Sequence, residues 1–473
     1  MKKFIIFCLT TLLPFLGLGQ GMIFDPAEFS KIPQAPTGDG SKSIGVLPKY
    51  MDLSPHMPPI LDQGAYQICV PIATTVYAIG TQRAAAAGIS NPQESRLRAF
   101  SPLHYVIEKK NSNCNTTSRL AEAAIFLKEQ GGVPFTLSDK IDCQTIGPVV
   151  KPSRLIKIRE VQWVFIKDKS SEFDIIYDVK KQLSEKRPVV VGLPIDENFR
   201  RVSWENPYYI PKGNLQSNIG HAVTVVGYDE NDQSFKIANS YGTQWGKDGF
   251  FRMYYNDFTA YCHAGFVMHL YPETNDNSKN MANQQAGKFD FISFLSSGNQ
   301  LISKTEVPKH IYSGYYELPK KDWRRGQQFQ LHAENSNNGE HMGVFSINNK
   351  NQIFIHWPRD MKYNEAGYGL GESDLLGQNA KIIIPGSDSA LIIDETGTDY
   401  LCIFYSSNPI KPELQNILQR LQASSGSILQ RVQNALGSRL VKSGITYAPD
   451  KMEFRVTPKQ GDIIPLILEV KSK

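Results

Sequence analysis

The chain has 473 residues, more than a single domain usually contains. Its composition, 41% hydrophobic and 21% charged, is that of an ordinary globular protein. The net charge of +5 comes without any long basic run. We therefore expect neither a nucleic acid nor a membrane surface as a partner.

The first 19 residues have the pattern of a secretory signal. Two lysines precede an apolar run from Phe4 to Leu16, and the small residues Gly17 and Gly19 follow it. The run is too short for a stable membrane anchor, although an uncleaved anchor is the alternative. We predict that residues 1–19 are a signal peptide cleaved before Gln20, and that the chain is exported without a membrane anchor.

Residues 20–45 are rich in glycine, proline, serine and lysine and show no hydrophobic periodicity. Such a composition is typical of a flexible segment. The sequence therefore predicts a flexible lead-in before the first folded domain.

A single cysteine, Cys69, lies where a loop changes into a helix. Ile72, Val76 and Ile79 follow it at helical spacing, and Pro71 fits the first turn of a helix, where its missing N–H costs nothing. Unpaired backbone N–H groups and the positive end of the helix dipole favour a thiolate at such a position. An inert core cysteine is the alternative.

Two further stretches give Cys69 potential partners. One runs from Gly220 through His221 to Tyr228, and the other, Asn239-Ser-Tyr-Gly-Thr-Gln-Trp-Gly246, follows it closely. With the loop before Cys69, they resemble the three motifs of the papain-like (C1-type) cysteine peptidases, over roughly residues 46–270. The start at Leu47-Pro48-Lys49-Tyr50 is similar to that of bacterial members.

The resemblance assigns roles to four residues. Cys69 is the nucleophile, His221 carries the proton, Asn239 orients His221, and the Gln63 side chain faces the oxyanion. It implies an exported bacterial cysteine endopeptidase, periplasmic or extracellular, that acts on proteins or peptides with no cofactor and no metal. The alternative is a catalytically inactive papain-like binding module.

Three neighbouring residues are expected to support the site. Tyr241 and Trp245 would shield the bond between His221 and Asn239 from water. Gln67 stands where the family has a glycine, so its side chain would narrow the cleft. Further departures from the family pattern are Tyr66, Val70 and Tyr241 itself.

The contact between His221 and Asn239 also follows from spacing. Residues 228–232 have the composition of a turn, and an antiparallel pairing centred on Glu230 puts His221 opposite Asn239. Side chains that face each other across two strands are close enough to form a hydrogen bond. Loop length leaves this register open by one residue.

The remaining cysteines are expected to have structural roles. In the family that the chain resembles, cysteines in the region of Cys114 and Cys143 pair, which implies a disulfide between them. Cys262 and Cys402 lie in apolar, strand-like runs and are predicted to be buried thiols. Many family members carry a long inhibitory propeptide, for which this chain has no room before the first motif, so any latency is expected to come from elsewhere.

The predicted fold class is α+β. Helices are expected at 70–87, 101–110 and 117–130, and strands after residue 149, which suits the two-lobed papain-like fold over residues 46–271. Residues 272–288 are polar and unpatterned and are predicted to be a linker. Residues 289–473 are mainly strands with one helix after Lys411-Pro412, and we predict a sandwich-like accessory domain. They resemble uncharacterised accessory domains of exported bacterial proteins, which suggests no activity.

Overall fold

The computed structural model of the chain describes residues 21–36, 47–136, 143, 155–213, 219–271, 284–297, 300–335, 340–363, 368–376, 380–386, 389–457 and 460–473. The predicted signal peptide lies outside these residues. Within the described ranges, no helix is both long and apolar enough to cross a membrane.

The first lobe is mainly helical and is built around one buried helix. This helix comprises Cys69–Pro71, a wider π-helical stretch at Ile72–Ala78, and Ile79–Ala87. It ends at Gly88, whose φ of +69° suits glycine, as the sequence predicted. The other helices of this lobe are Pro92–Arg96, Pro102–Lys110 and Glu122–Glu129. The predicted helix 117–130 therefore starts later, after a short strand at Ser118–Arg119.

The second lobe is a mainly antiparallel sheet organised by one long strand, Ile219–Asp229. It pairs with four others: Met22–Ile23, Tyr50–Asp52, Val189–Leu193 and Ser234–Ala238. The remaining strands of the lobe are Glu160–Ile166, Phe250–Tyr254 and Ala264–His269, and its helices are Glu172–Ser184, Glu197–Arg200 and Tyr255–Tyr261. One helical and one sheet lobe make this part α+β, as predicted.

The prediction of a flexible lead-in is wrong for residues 21–36. Met22–Ile23 is a strand between the two lobes, and Pro26–Lys31 is a 3-10 helix capped by Asp25. Met22 is fully buried and Phe29 is 4% exposed. The segment is ordered by contacts with distant parts of the chain, which leave no periodic pattern in so short a stretch. Residues 37–45 lie outside the described residues.

The C-terminal part is a sandwich of two sheets. One contains Gln285–Ser297, Gln300–Glu306, Gln328–Asn335, Lys381–Ile384, Leu391–Ile392, Thr446–Tyr447 and Met452–Val456. The other contains Lys309–Tyr312, Tyr315–Glu317, His341–Ile347, Ile353–Trp357, Gly397–Ser406 and Ile463–Ser472. A separate hairpin pairs Asp360–Tyr363 with Tyr368–Gly371. Side chains from both sheets form one core, including Phe291, Leu331, Ile403 and Leu466.

Two helices, Lys411–Ala423 and Ile428–Leu436, pack on the outer face of the second sheet. The first was predicted and the second was not. The predicted linker at 272–288 also needs correction at its end, because residues 285–288 belong to the strand Gln285–Ser297. Paired backbone groups hold them in the sheet; residues 272–283 lie outside the described residues.

The C-terminal sandwich contacts the back of the sheet lobe. The Ser373 hydroxyl donates to Glu160 over 2.6 Å, and the Gln162 amide donates to the Leu375 carbonyl over 3.2 Å. The Arg159 guanidinium donates to a carbonyl of the sandwich at 3.1 Å. The two parts therefore meet through polar contacts between specific residues.

Candidate active site

Cys69 begins the central helix and is completely buried. Thr224 of the long strand donates through its hydroxyl to the Ala73 carbonyl at 3.0 Å, so the helix is attached to the sheet lobe one turn after Cys69. The backbone N–H groups of Ala222 and Val70 face the sulfur. The thiol thus lies at the junction of the two lobes, beside the residue that follows His221.

The structure brings His221 and Asn239 together. The His221 Nε2–H donates to Oδ1 of Asn239 over 2.7 Å, and both side chains are buried. The contact was predicted, but the predicted register was wrong. Thr224 pairs with Ala238, and a bulge follows Val225, so Asn239 lies just beyond the end of the paired region rather than directly opposite His221.

Tyr241 packs against His221, and Trp245 packs against Tyr241. The Tyr241 ring lies 4.9 Å from the His221 ring, and the Trp245 ring lies 5.7 Å from that of Tyr241. Phe199 lies among all three, with its ring 4.8 Å from Trp245 and 5.8 Å from His221. Sequence reasoning missed Phe199, because its short helix, Glu197–Arg200, carries no periodic pattern.

Gln63 and Gln67 lie in the loop that leads to Cys69. The buried Gln63 amide donates to the Tyr66 carbonyl over 2.7 Å, and its oxygen accepts from the Ser240 hydroxyl. Gln63 is therefore held between the cysteine loop and the residue after Asn239. The Gln67 backbone N–H donates to the Cys114 carbonyl over 2.8 Å, which fixes the wall of the cleft beside the thiol.

Burial favours the neutral forms of both Cys69 and His221. It raises the pKa of the Cys69 thiol above its ordinary value, since a thiolate would be poorly solvated there. It lowers the pKa of His221 to about 4, although the bond to Asn239 acts in the opposite direction. An ion pair between thiolate and imidazolium therefore requires that water or substrate reach the site.

The two residues Gly21 and Met22 exclude water from Cys69. The Gly21 N–H faces the Cys69 sulfur, and the Gly21 carbonyl accepts from the Ser118 N–H at 2.8 Å. Met22 pairs with Ser118 on one wall of the cleft and with Gly220 on the other. The N-terminal segment thus lies where an extended peptide would have to bind in order to reach the thiol.

The other cysteines lie where they were expected. Cys114 and Cys143 form a disulfide with their Cα atoms 6.0 Å apart, as the family resemblance implied. Cys262 and Cys402 are free and buried. Burial raises the pKa of both thiols.

Comparisons with known proteins point to one family. Residues 101–268 match the family described as papain family cysteine protease. The match includes His221 and Asn239 and begins after Cys69. An uncharacterized peptidase C1-like protein of Acanthamoeba polyphaga mimivirus is 38% identical over 93 residues, 19% of this chain and 30% of that protein. Germination-specific cysteine protease 1 of Arabidopsis thaliana is 30% identical over 204 residues, 41% of this chain and 48% of that protein.

The chain thus spans less than half the length of these curated relatives. Among solved structures, xylellain, a cysteine protease from Xylella fastidiosa, is 24% identical with a TM-score of 0.40, over 54% of this chain and 97% of that one. Digestive procathepsin L2 proteinase from the Tenebrio molitor larval midgut is 20% identical with a TM-score of 0.45, over 55% of this chain and 81% of that one. Over residues 101–268, the chain is thus similar to the papain family cysteine proteases.

Proposed function

We propose that the protein is a cysteine endopeptidase that hydrolyses peptide bonds through Cys69, His221 and Asn239. The observation that carries the proposal is the hydrogen bond from His221 to Asn239, in a strand whose next residue, Ala222, faces the Cys69 sulfur. A histidine fixed by an amide and placed beside a thiol at a helix N-terminus is what thiol-based acyl transfer needs.

The reaction has two steps. In the first, the Cys69 thiolate attacks the carbonyl carbon of the scissile bond, and the His221 imidazolium gives its proton to the departing amine, which leaves a thioester. In the second, His221 takes a proton from water as the water attacks the thioester. The acid product leaves and the Cys69 thiol is restored. Asn239 keeps the ring in one orientation through both steps.

Donors for the developing oxyanion are proposed from the cysteine loop. The Cys69 N–H belongs to the first turn of its helix, where backbone N–H groups have no helical partner. The Gln63 amide, the second proposed donor, is held in the loop before Cys69 by its hydrogen bonds to the Tyr66 carbonyl and the Ser240 hydroxyl. Removal of one oxyanion donor typically lowers the rate by about 10²–10³.

A second candidate is a papain-like domain that binds without catalysis. The complete burial of Cys69 and the neutral state of its partner His221 favour it, because such a thiol is not a nucleophile as it stands. The two candidates differ in whether the thiol becomes reactive once the cleft is free.

A small activated ester distinguishes them. With the cleft partly opened by 1 M urea, we expect p-nitrophenyl acetate at pH 7 to release one equivalent of nitrophenolate in a burst, with acetyl found on the peptide that contains Cys69. Cys69→Ala should show no burst and unchanged far-ultraviolet circular dichroism. Acetylation of another residue, or the same burst from Cys69→Ala, would rule out the mechanism. The absence of any burst even after 1 M urea has partly opened the cleft would favour the non-catalytic binding module. This urea concentration is about a third of a typical midpoint for unfolding in urea.

The domain division and the location of the protein are also proposals. Residues 46–271 are proposed as the peptidase domain, with the N-terminal segment docked on it, and residues from about Gln285 onward as the accessory sandwich. Export from a bacterial cell is proposed from the lysines and apolar run at residues 2–16. Mass spectrometry of the culture medium and the periplasm tests it, with a mature N-terminus near Gln20 expected.

A further inference from the structure

We infer that the C-terminal sandwich contains a binding site for an aliphatic side chain that ends in a cation, and that its occupant is a lysine side chain of a partner protein. The site is a pocket between the two sheets of the sandwich, at one of their edges. We call it the edge pocket; the residues that line it include Phe329, Phe354, Leu391, Ile392 and Asp399. The inference does not depend on the proposed peptidase activity.

The walls of the edge pocket are mainly apolar and come from both sheets. Phe329, Leu391 and Ile392 belong to the first sheet, and Phe354 and Leu401 belong to the second. The pocket has a volume of about 370 Å³, which is within the range of sites for small ligands. Ile392 is 54% exposed and Phe354 is 46% exposed, so the apolar walls continue to the mouth of the pocket. An aliphatic stem can therefore be buried there.

One wall is shaped by a bulge in the strand Ile353–Trp357, the last strand of the second sheet. In its pairing with His341–Ile347, His356 is the extra residue of the bulge. A bulge redirects the side chain that it carries, and His356 Nε2 forms a hydrogen bond of 2.8 Å with the Ser346 hydroxyl in the pocket wall. Burial lowers the pKa of His356 to about 4. The ring is therefore neutral at pH 7 and does not repel a cation.

The edge pocket carries negative charge at one end. Asp394 and Asp399 line it, and none of its described lining residues is a lysine or an arginine. Asp399 is partly buried and has no hydrogen bond or ion pair within the part of the chain that the structure describes. Burial raises the pKa of Asp399 to about 6, and repulsion from Asp394 and Glu395 acts in the same direction. A cation at this end of the pocket would relieve that repulsion.

Contacts between two loops hold the charged end in place. The Lys350 ammonium pairs with Glu395 over 2.5 Å, and the Asn349 side-chain amide donates to the Thr396 carbonyl over 2.7 Å. These contacts join the turn of one hairpin to the loop beside the two aspartates. Lys350 is paired with Glu395, so the carboxylates of the two aspartates remain for a ligand.

An apolar pocket with charge at one end fits a single cation on an aliphatic stem. Lysine has this chemistry, a flexible aliphatic stem with a compact ammonium group at its end. A free diamine would place its second ammonium against the apolar wall formed by Phe354 and Ile392, which is unfavourable. In a partner protein, the apolar residues beside the lysine can instead cover the exposed parts of these two side chains.

The first experiment measures the binding of short labelled peptides to the native full-length chain by fluorescence anisotropy. One peptide has a single lysine between apolar residues, and its match has norleucine, which keeps the stem but lacks the ammonium. Wild type should bind the lysine peptide at least about tenfold more tightly than the norleucine peptide, because a hydrogen-bonded charge pair forms. A third peptide has diaminobutyrate, whose shorter stem should weaken binding relative to lysine. Mass spectrometry after each titration verifies that the peptide is intact.

The second experiment repeats the titrations with variants of the pocket. Asp399→Asn removes the charge but keeps the shape, so the affinity for the lysine peptide should fall at least about tenfold and that for the norleucine peptide should not change. Phe354→Ala removes part of the apolar wall and should weaken the binding of both peptides. Asp450→Asn changes an exposed carboxylate outside the pocket and is the control, which should bind both peptides like wild type. Thermal unfolding by circular dichroism checks that each variant is folded.

Three outcomes would contradict the inference. Equal affinities of wild type for the lysine and norleucine peptides, or no binding of either, would overturn the site. Similar losses in Asp399→Asn and Asp450→Asn would mean that the general negative charge of the surface attracts the peptide, which would also overturn it. If the diamine cadaverine displaced the labelled peptide at a lower concentration than the unlabelled lysine peptide does, the lysine side chain would be ruled out as the occupant.

Discussion

The Nε2–H of His221 donates to Oδ1 of Asn239, which leaves Nδ1 as the ring nitrogen available to a thiol. Nδ1 is buried and has no hydrogen-bond partner among the described residues. The next residue in the strand, Ala222, directs its N–H at the Cys69 sulfur. The amide therefore selects both the tautomer and the orientation of the ring that the proposed mechanism requires.

Replacing Asn239 should impair catalysis without abolishing it. Asn239→Ala removes a hydrogen bond to a ring that becomes charged, worth about 1.5–3 kcal/mol, so kcat/KM should fall by about 10–100-fold. Cys69→Ala should abolish turnover. Asn231→Ala, in the exposed turn at the other end of the strand, is the control and should retain the wild-type rate. A loss with Asn239→Ala as complete as that with Cys69→Ala would contradict a purely orienting role.

Phe199 should contribute strongly to stability because it is fully buried among Tyr209, Tyr241, Trp245 and Phe251. Phe199→Ala leaves a cavity in this cluster and should lower the free energy of unfolding by about 3–5 kcal/mol. Urea denaturation followed by tryptophan fluorescence measures it.

The control for this prediction is Phe173→Ala, whose ring is 59% exposed. It should change the free energy of unfolding by less than about 0.5 kcal/mol, as is usual for surface substitutions. If Phe199→Ala and Phe173→Ala lowered the free energy of unfolding by similar amounts, the aromatic cluster around Phe199 would not contribute more to stability than a surface residue does.

The disulfide between Cys114 and Cys143 should be found in the exported protein by mass spectrometry without reduction. It closes a loop of 29 residues in sequence separation. The chain-entropy estimate for such a loop is roughly 3–4 kcal/mol, so replacing both cysteines with serine should lower the free energy of unfolding by about that amount. Detection of Cys69 in a stable intramolecular disulfide would contradict its assignment as the nucleophile.

The helix that begins at Cys69 and the contact between His221 and Asn239 could be predicted from the sequence, because both have local signals. Ile72, Val76 and Ile79 mark the buried helix face, and the residues between His221 and Asn239 include a recognisable turn. The exact pairing of the strands was not predicted, because the turn is centred between Asn231 and Asp232 and not on Glu230, and the bulge after Val225 changes the register by one residue without a sequence signal of its own.

Two ordered segments were missed for different physical reasons. Residues 21–36 are ordered by contacts with both lobes and with the sandwich, and such tertiary contacts leave no periodic pattern. The helix Ile428–Leu436 did have a local signal. Ser427 and Gln430 form a reciprocal capping box at its start, with the spacing that predicts a helix N-terminus.

The N-terminal segment, residues 21–36, covers Cys69 in this closed form of the protein and should be held less tightly as the pH rises, because it buries a carboxyl group. Glu28 is 3% exposed, and burial raises its pKa to about 7, with Glu122 and Asp25 adding repulsion. The Ala121 N–H and Arg119 act in the opposite direction. A raised pKa in the closed form means that its stability is complete below about pH 4.5 and is lost as the pH rises through 7.

Glu28→Gln removes this loss of stability. At pH 8 iodoacetamide should alkylate Cys69 more slowly in the variant than in wild type, and at pH 4.5 the two rates should be similar. At each pH, the alkylation rate of the variant is divided by that of wild type. The effect of the titration of His221 and Cys69 on the rate is common to both proteins and cancels in this ratio. Asp25→Asn is the control, since the pKa of Asp25 is lowered in the closed form and this exposed group should give the opposite pH trend. A constant ratio from pH 4.5 to pH 8 would contradict the role of Glu28.

The pocket that holds Met22 should also set the preference for one substrate side chain. Gly192 lies in its wall, where an added Cβ would be 2.9 Å from Met22 Cε and 3.1 Å from a Leu120 methyl group. Gly192→Ala should therefore make the pocket too short for a methionine side chain, whether from Met22 or from a substrate. Crowding of this kind costs about 1–3 kcal/mol.

Gly192→Ala should change two measured quantities, the alkylation rate of Cys69 and the side-chain preference in kcat/KM. Iodoacetamide should alkylate Cys69 faster because the Met22 side chain, and with it the N-terminal segment, fits poorly. The kcat/KM for peptides with methionine or leucine in this pocket should fall about tenfold relative to peptides with alanine there, which corresponds to about 1.4 kcal/mol. Gly343→Ala is the control, because a Cβ at Gly343 in the sandwich would meet its nearest neighbour at 3.5 Å, an ordinary contact. If alkylation became faster with no change in side-chain preference, Met22 would occupy a pocket that substrates do not use. The N-terminal segment would then block the thiol with its backbone, without imitating a bound peptide.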